Sequence, residues 1–335
     1  LPGHALSAGT LVITNGDAAL ERLAAAGVTE QILPWRDALH DGPVPSVPAD
    51  ELARIRTTFL AEAFGALAGN LAASFAHRDA TLVSHRDFAR IEVWLEHDLY
   101  DQLQLLQILD RLAALGRTEG VWLVQAADYL GLMSEEAICA LAARAAPVTA
   151  AQFDLARRAW AAFTASTPTG MVQLISGDLA PLPWLPPALR RLLSELPDRS
   201  SGLALSESRI LEALLQGPMR VPRVFAAISA REEARFMGDA SFFRWLDGLA
   251  FGPEPVVSGL PCRCPIKSQA GYDDPRARAY LSADISATPF GTEVLAGRAD
   301  HARANPVDRW LGGTHLSDGR LWRWHRGAEA LVAPV

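Results

Sequence analysis

The chain has 335 residues, half of them hydrophobic, with 31 basic against 38 acidic residues and a formal net charge of -7. That length suits two domains and a connector, and the hydrophobic content excludes wholesale disorder. The acidic balance argues against a chain built for general nucleic-acid binding, which brings a strong basic excess.

In chain order, Thr10 to Thr14 (TLVIT) reads as a short strand, Asn15-Gly16-Asp17 as a turn, and Ala18 to Ala26 as a helix ended by Gly27. Val28 to Leu33 supplies a second strand, so the segment has the grammar of a βαβ unit with a right-handed crossover. A turn-rich stretch from Pro34 to Pro45 follows, and Asp50 opens a helix to roughly Phe64. Thr81-Leu82-Val83 before Ser84-His85 is read as a minor strand end. Arg90 to Leu95 is the next strand, Leu99 to Leu115 an amphipathic helix, and Gly120 to Val124 a further strand. Ser134-Glu135-Glu136 opens another helix, and Ala150 to Thr164 forms one more.

The Pro-, Gly-, Ser- and Thr-rich stretch Ser166 to Pro187 is the expected passage between domains, with a short helix at Ala188 to Leu196. Beyond it, helices are expected at Ser206 to Leu215, Val221 to Ile228 and Asp239 to Leu249. Strands are expected at Val256-Val257 and Tyr280 to Ile285, and a final helix between Thr288 and Gly297. The predicted fold is an α/β N-terminal domain with a mainly parallel sheet (9–145), a helical, Pro-rich connector (146–200) and a mainly helical, winged-helix-like C-terminal domain (201–335).

The polar clusters at strand ends carry the functional signal, because ligands in open α/β sheets bind outside the carboxyl ends of the strands. Asn15, Gly16 and Asp17 lie at a strand-to-helix junction suited to an anion, or are an ordinary helix cap. Trp35, Asp37, His40 and Asp41 share one loop, where carboxylate and imidazole suit acid–base work or a metal with oxygen and nitrogen ligands. Trp35 stacks on a ring or anchors the loop. Glu96-His97-Asp98 is the sharpest cluster: adjacent residues leaving a strand diverge, so one reaches the site, Asp98 caps the next helix and Glu96 orients a neighbour. Gln102, one turn on, faces the same crevice or solvent; Asp128 is a weaker member. The expected catalytic set is Asp37, His40 and His97, which also form the expected metal set. Asn15, Gly16, Asp17, Trp35, Glu96, Asp98 and Gln102 are expected to bind substrate.

Other features point away from chemistry. Cys139, Cys262 and Cys264 imply no disulfide framework, and Cys262-Arg263-Cys264 lacks the second pair that a zinc site needs. Phe236, Phe242, Phe243 and Trp245 have helical spacing and read as core. Arg231, Arg235 and Arg244 are interleaved with Glu232, Glu233 and Asp239, a poor DNA-reading face. Trp310, Trp322 and Trp324 read as a buried terminal strand pair. The chain has no dinucleotide or Walker fingerprint and no nucleophile elbow.

The segments ITNGDAALERL, PWRDALHDGPVP and WLEHDLYDQLQLLQIL resemble a bacterial family catalogued as domain of unknown function 1835. FMGDASFFRWLDGLA and TPFGTEVLAGRADHARANPVDRWLGGTHL are similar to segments that accompany it. The resemblance implies a bacterial, soluble, two-part protein and transfers no catalytic residues.

Two functions follow as expectations. The first is an enzyme, a hydrolase or group transferase, acting on a small phosphorylated or nucleotide-like substrate with a divalent metal. The second is a ligand-sensing regulator whose winged helix contacts DNA or a protein. A cytoplasmic protein with no membrane partner is expected, because neither a long apolar run nor a leader pattern is present.

Overall fold

The structure is a computed structural model describing residues 9–28, 30–65, 68–265 and 271–334. In chain order, β1 (Thr10–Thr14), α1 (Asp17–Ala25) and β2 (Gln31–Pro34) are followed by α2 (Ala49–Phe64) and α3 (Ala68–Val83). Next come β3 (Arg90–Leu95), α4 (Leu99–Ala114), β4 (Val121–Gln125), α5 (Glu135–Ala142), β5 (Ala146–Pro147) and α6 (Ala150–Thr164). The expected minor strand end at Thr81–Val83 is instead the last turn of α3.

These strands form one sheet in the order β2-β1-β3-β4-β5, parallel except for the antiparallel edge strand β5. Leu11, Val12 and Ile13 are buried on both faces, as a central parallel strand requires. Val12, Ala19, Leu23, Trp94, Val124, Ile138 and Leu141 share one apolar layer, contributed by β1, α1, β3, β4 and α5. The chain goes from β1 outward to β2, then returns to place β3 on the other side of β1. That reversal is a topological switch point, where crevices open at the carboxyl ends of the strands. Thr14 pairs with both Pro34 and Trp94, and Leu95 with Gln125, so the carboxyl ends of β1 to β4 lie at similar height.

The second half adds α7 (Thr169–Ile175), α8 (Leu185–Leu193), α9 (Leu205–Leu214), β6 (Met219–Arg220), α10 (Val221–Ser229) and α11 (Asp239–Ala250). Then come β7 (Val257–Ser258), α12 (Pro275–Ser282), β8 (Asp284–Ala287), α13 (Pro289–Leu295) and α14 (His301–Ala304). Two hairpins finish it: β9 (Arg309–Leu311) with β10 (Thr314–Leu316), and β11 (Arg323–His325) with β12 (Ala330–Val332). The strands β6, β8 and β7 form a small antiparallel sheet in that order. Tyr280, expected in a strand, lies in α12, whose start is set by Asp274 capping the Arg276 N–H and by Pro275 at the first position. Phe242 and Phe243 are core residues, as their spacing indicates.

The chain divides into two compact units whose segments interleave. The first comprises Leu1–His40, Gly69–Ala162 and Leu174–Ala188; the second Asp41–Ala68, Phe163–Gln173 and Leu189–Val335. The chain therefore crosses between the units several times, not once at the passage expected over Ser166–Pro187 in the 146–200 connector, and α2 belongs with the C-terminal elements. Its reason is local: Asp41 accepts from the Ser241 hydroxyl at 2.5 Å and pairs with Arg244 at 3.4 Å, while Phe59 and Phe64 lie under the Arg244 guanidinium. Among the described residues no helix is long and apolar enough to cross a membrane.

Candidate functional site: a buried carboxylate cluster

The site is built at the switch point of the first unit, where β3 runs into α4. Glu96 and Asp98 leave the strand two residues apart and turn to the same side, while His97 between them turns away. Asp98 is the N-cap of α4, accepting from the N–H groups of Tyr100 at 2.8 Å and Asp101 at 3.3 Å. One turn later Asp101 comes back beneath the cap, since positions three apart share a helix face. The result is a buried group, Glu96, Asp98 and Asp101, with one oxygen from each lying within 4.8 Å of the others.

Each carboxylate is held from a different direction. Asn15, at the end of β1, donates its Nδ2 to both oxygens of Asp101 at 3.0 Å. The Glu96 N–H donates to Asp101 Oδ2, and Glu96 Oε1 accepts from the Leu130 N–H at 2.7 Å. Gln102 Nε2 donates to the Glu96 carbonyl at 2.9 Å. β1, β3, α4 and the turn after β4 thus converge on three side chains.

Burial and mutual repulsion set their charge. At separations below 5 Å each carboxylate pair repels by at least about 3 kcal/mol at an effective dielectric near 20. Desolvation, then the charge of Asp98, pushes Glu96 up to about 7. Desolvation also pushes Asp98 up to about 6, against the backbone N–H groups of Asp101 and Tyr100 and the nearby His97 that favour its charged form. Asp101, fully enclosed beside both, lies well above the usual carboxylate range. Without a cation the cluster therefore carries protons near neutrality, and a divalent cation would displace them.

Polar atoms without partners gather at the same sheet end. Thr14 Oγ1 closes β1, Gln125 Nε2 closes β4, and Gln102 Oε1 and His97 Nδ1 flank the cluster in sequence; all are buried with no hydrogen-bond partner among the described residues. Each such group left unsatisfied costs about 1–3 kcal/mol. Their accumulation marks a place that bound water or ligand would satisfy.

The other expected site residues lie elsewhere. Asp37, His40 and His97 do not form a metal-ligand group; among the described residues the group found is Glu96, Asp98 and Asp101. Asp37 is buried against Arg78 at 4.0 Å, and its carbonyl accepts from Gln104. The ring of His40 sits edge-on to Tyr100, and that of His97 lies against Tyr129 and Trp184. Trp35 is fully buried: its indole N–H donates to Gln107 at 2.8 Å, and the Arg78 guanidinium covers its ring at 4.5 Å. It anchors the loop and has no face for a ligand. Asp17 is exposed and paired with Arg36 at 2.6 Å. Gly16, at a φ of +150° that favours glycine, gives α1 an N-cap without a side-chain hydrogen bond. Asp128 turns back on the Tyr129 N–H. Asp101 escaped the sequence reading because an acid in a first helical turn ordinarily serves the helix dipole; its spacing from Asp98 was the available signal.

No protein-family model matches the chain, and no curated protein matches it.

Proposed function

We propose that the first unit binds a divalent cation on Glu96, Asp98 and Asp101 and uses it in hydrolysis or group transfer on a small phosphorylated or nucleotide-like substrate. The observation that carries this reading is the convergence of three buried carboxylates, held from several elements, at the switch point of a parallel sheet. An all-oxygen donor set suits a hard cation such as Mg²⁺ or Mn²⁺, with Gln102 Oε1 as a neutral oxygen available nearby. Glu96, Asp98 and Asp101 would hold such an ion, which would supply Lewis-acid chemistry toward a phosphoryl oxygen or a bound water. Asn15 positions Asp101, and the Leu130 N–H positions Glu96.

The sensor reading has one specific support. That support is the order α9-β6-α10-α11-β7-α12-β8 with sheet order β6-β8-β7, which has the three helices and small sheet a winged helix needs but places α12 between its last two strands. In that reading α11 would be the DNA-reading helix. Its side chains, however, are engaged within the second unit: Ser241 and Arg244 with Asp41, and Trp245 beneath the Arg309 guanidinium. Arg231 pairs with Glu212 at 2.5 Å. A packing role therefore suits this module better than DNA contact.

The test is phosphate release from a panel of phosphate esters and nucleotides with Mg²⁺ or Mn²⁺, using wild type, Glu96→Gln and Asp101→Asn. Metal-dependent turnover that falls at least about a hundredfold in both variants supports the proposal. Turnover independent of metal, or unchanged in the variants, refutes it.

A further inference from the structure

We propose that the second unit carries a separate binding cleft for a phosphorylated small molecule of the nucleotide class, lined by Arg199, Arg298 and Arg303 with Phe290 on one wall. It rests on different residues from the carboxylate cluster and stands or falls independently of it.

The cleft has a volume of about 620 Å³, within the range of small-ligand sites, and its lining also includes Ser200 and Asp300. In a chain of net charge -7, Arg199, Arg298 and Arg303 stand against Glu293, which pairs with Arg298, and one lining carboxylate, Asp300. That carboxylate is already engaged. Asp300 Oδ1 accepts from the N–H groups of Ala302 and Arg303, and Oδ2 pairs with Arg323 at 2.8 Å. Arg298 is held by Glu293 through Nε at 2.6 Å and Nη2 at 2.7 Å, which fixes the guanidinium. Arg303 is 86% exposed and reaches Asp300 only at 3.6 Å. The Arg199 guanidinium has no ion-pair partner among the described residues, although its backbone N–H is fixed to the Trp324 carbonyl at 3.1 Å.

The walls are locked to each other. Asp198 Oδ1 accepts from the N–H groups of Ser200 at 2.8 Å and Ser201 at 3.1 Å, and the His301 N–H donates to the Ser201 carbonyl at 2.7 Å. Gly202, at φ +70, lets the two loops touch: a Cβ there would stand 2.2 Å from Asp300 Oδ1. Arg199 stands on fixed backbone, and its guanidinium and that of Arg303 can match phosphate oxygens, whereas the Arg298 fork is taken by Glu293. The half-buried Phe290 ring beside the arginines offers a surface for a planar group.

The experiment is isothermal titration of ADP, and separately of inorganic phosphate, into the full chain and into Arg199→Ala and Arg303→Ala, with folding checked by circular dichroism. Both side chains are exposed, so the variants should fold normally. The proposal expects ADP to bind more tightly than phosphate and to weaken about tenfold or more in each variant. It also expects ADP, titrated in a chelator so that the carboxylate site holds no cation, to weaken on raising salt from about 50 to about 250 mM. No binding of either probe at about 5 mM, or ADP affinity unchanged in both arginine variants, overturns it. ADP binding lost in Glu96→Gln but kept in the arginine variants would assign the nucleotide to the carboxylate site and overturn it as well.

Discussion

Glu96→Gln should make the cation-free protein more stable at alkaline pH. The substitution keeps an oxygen that accepts from the Leu130 N–H and removes a charge buried beside Asp98 and Asp101. In the folded wild type Glu96 takes its proton up to about 7 and Asp98 up to about 6, whereas both are ionised above about pH 5 in the unfolded chain. The folded state therefore binds more protons. Its extra stability is full below about pH 4, declines as pH rises, and is gone above about pH 7. Each such proton contributes a slope of about 1.4 kcal/mol per pH unit, and for Glu96 the full displacement corresponds to about 3 kcal/mol.

The assay is urea denaturation in a chelator at several values between about pH 5 and pH 8. Wild type should lose stability across that range with a slope steeper than that of Glu96→Gln by about one proton. At pH 8 the variant should exceed wild type by about 3 kcal/mol. Parallel curves for the two proteins, or a wild type that gains stability relative to the variant as pH rises, would refute the reasoning about the cluster.

Three further outcomes follow from packing. Trp35→Ala removes a fully buried indole and strands Gln107, so a loss of about 3–5 kcal/mol in chemical denaturation is expected. Gly313→Ala would put a Cβ 1.8 Å from the Thr164 carbonyl oxygen, and a lowered melting temperature or insoluble expression should report it. Asp41→Ala leaves Ser241 without its acceptor and Arg244 without its carboxylate; a cost of about 1–3 kcal/mol is expected by denaturation, and a fluorescent duplex should remain unbound in wild type at physiological salt.

Much of the sheet was legible because its signals are local. TLVIT, RIEVWL and GVWLV are short apolar runs bounded by turns, and polar residues at their ends mark a crevice once those strands are neighbours. The order itself was not legible: no residue of β1 specifies that β3 becomes its neighbour, and the approach of Asn15 to Asp101 follows only from that pairing. Of the two readings of Trp35, ring stacking and loop anchor, the structure realises the anchor. Gln104 and Gln107 look like the solvent face of an amphipathic helix, yet both are buried and hold the Trp35 loop. The metal set Asp37, His40 and His97 is not brought together because Asp37 faces Arg78 and the two imidazoles pack on different rings, Tyr100 for His40 and Tyr129 and Trp184 for His97, whereas a helix N-terminus returns residues three apart to one face. Helix α2 was placed correctly in sequence, but its allegiance to α11 depends on Asp41, Ser241 and Arg244, separated by about 200 positions.

The central claim is that the carboxylate cluster is a cation site, and titration of Mn²⁺ into chelator-treated protein at about pH 7.5, followed by calorimetry in buffers of different ionisation enthalpy, tests it most directly. The account predicts one ion per chain in the first unit, bound with proton release, weakened in Glu96→Gln and abolished in Asp101→Asn while both variants remain folded. Absence of binding, or binding without proton release that both variants retain, would contradict it.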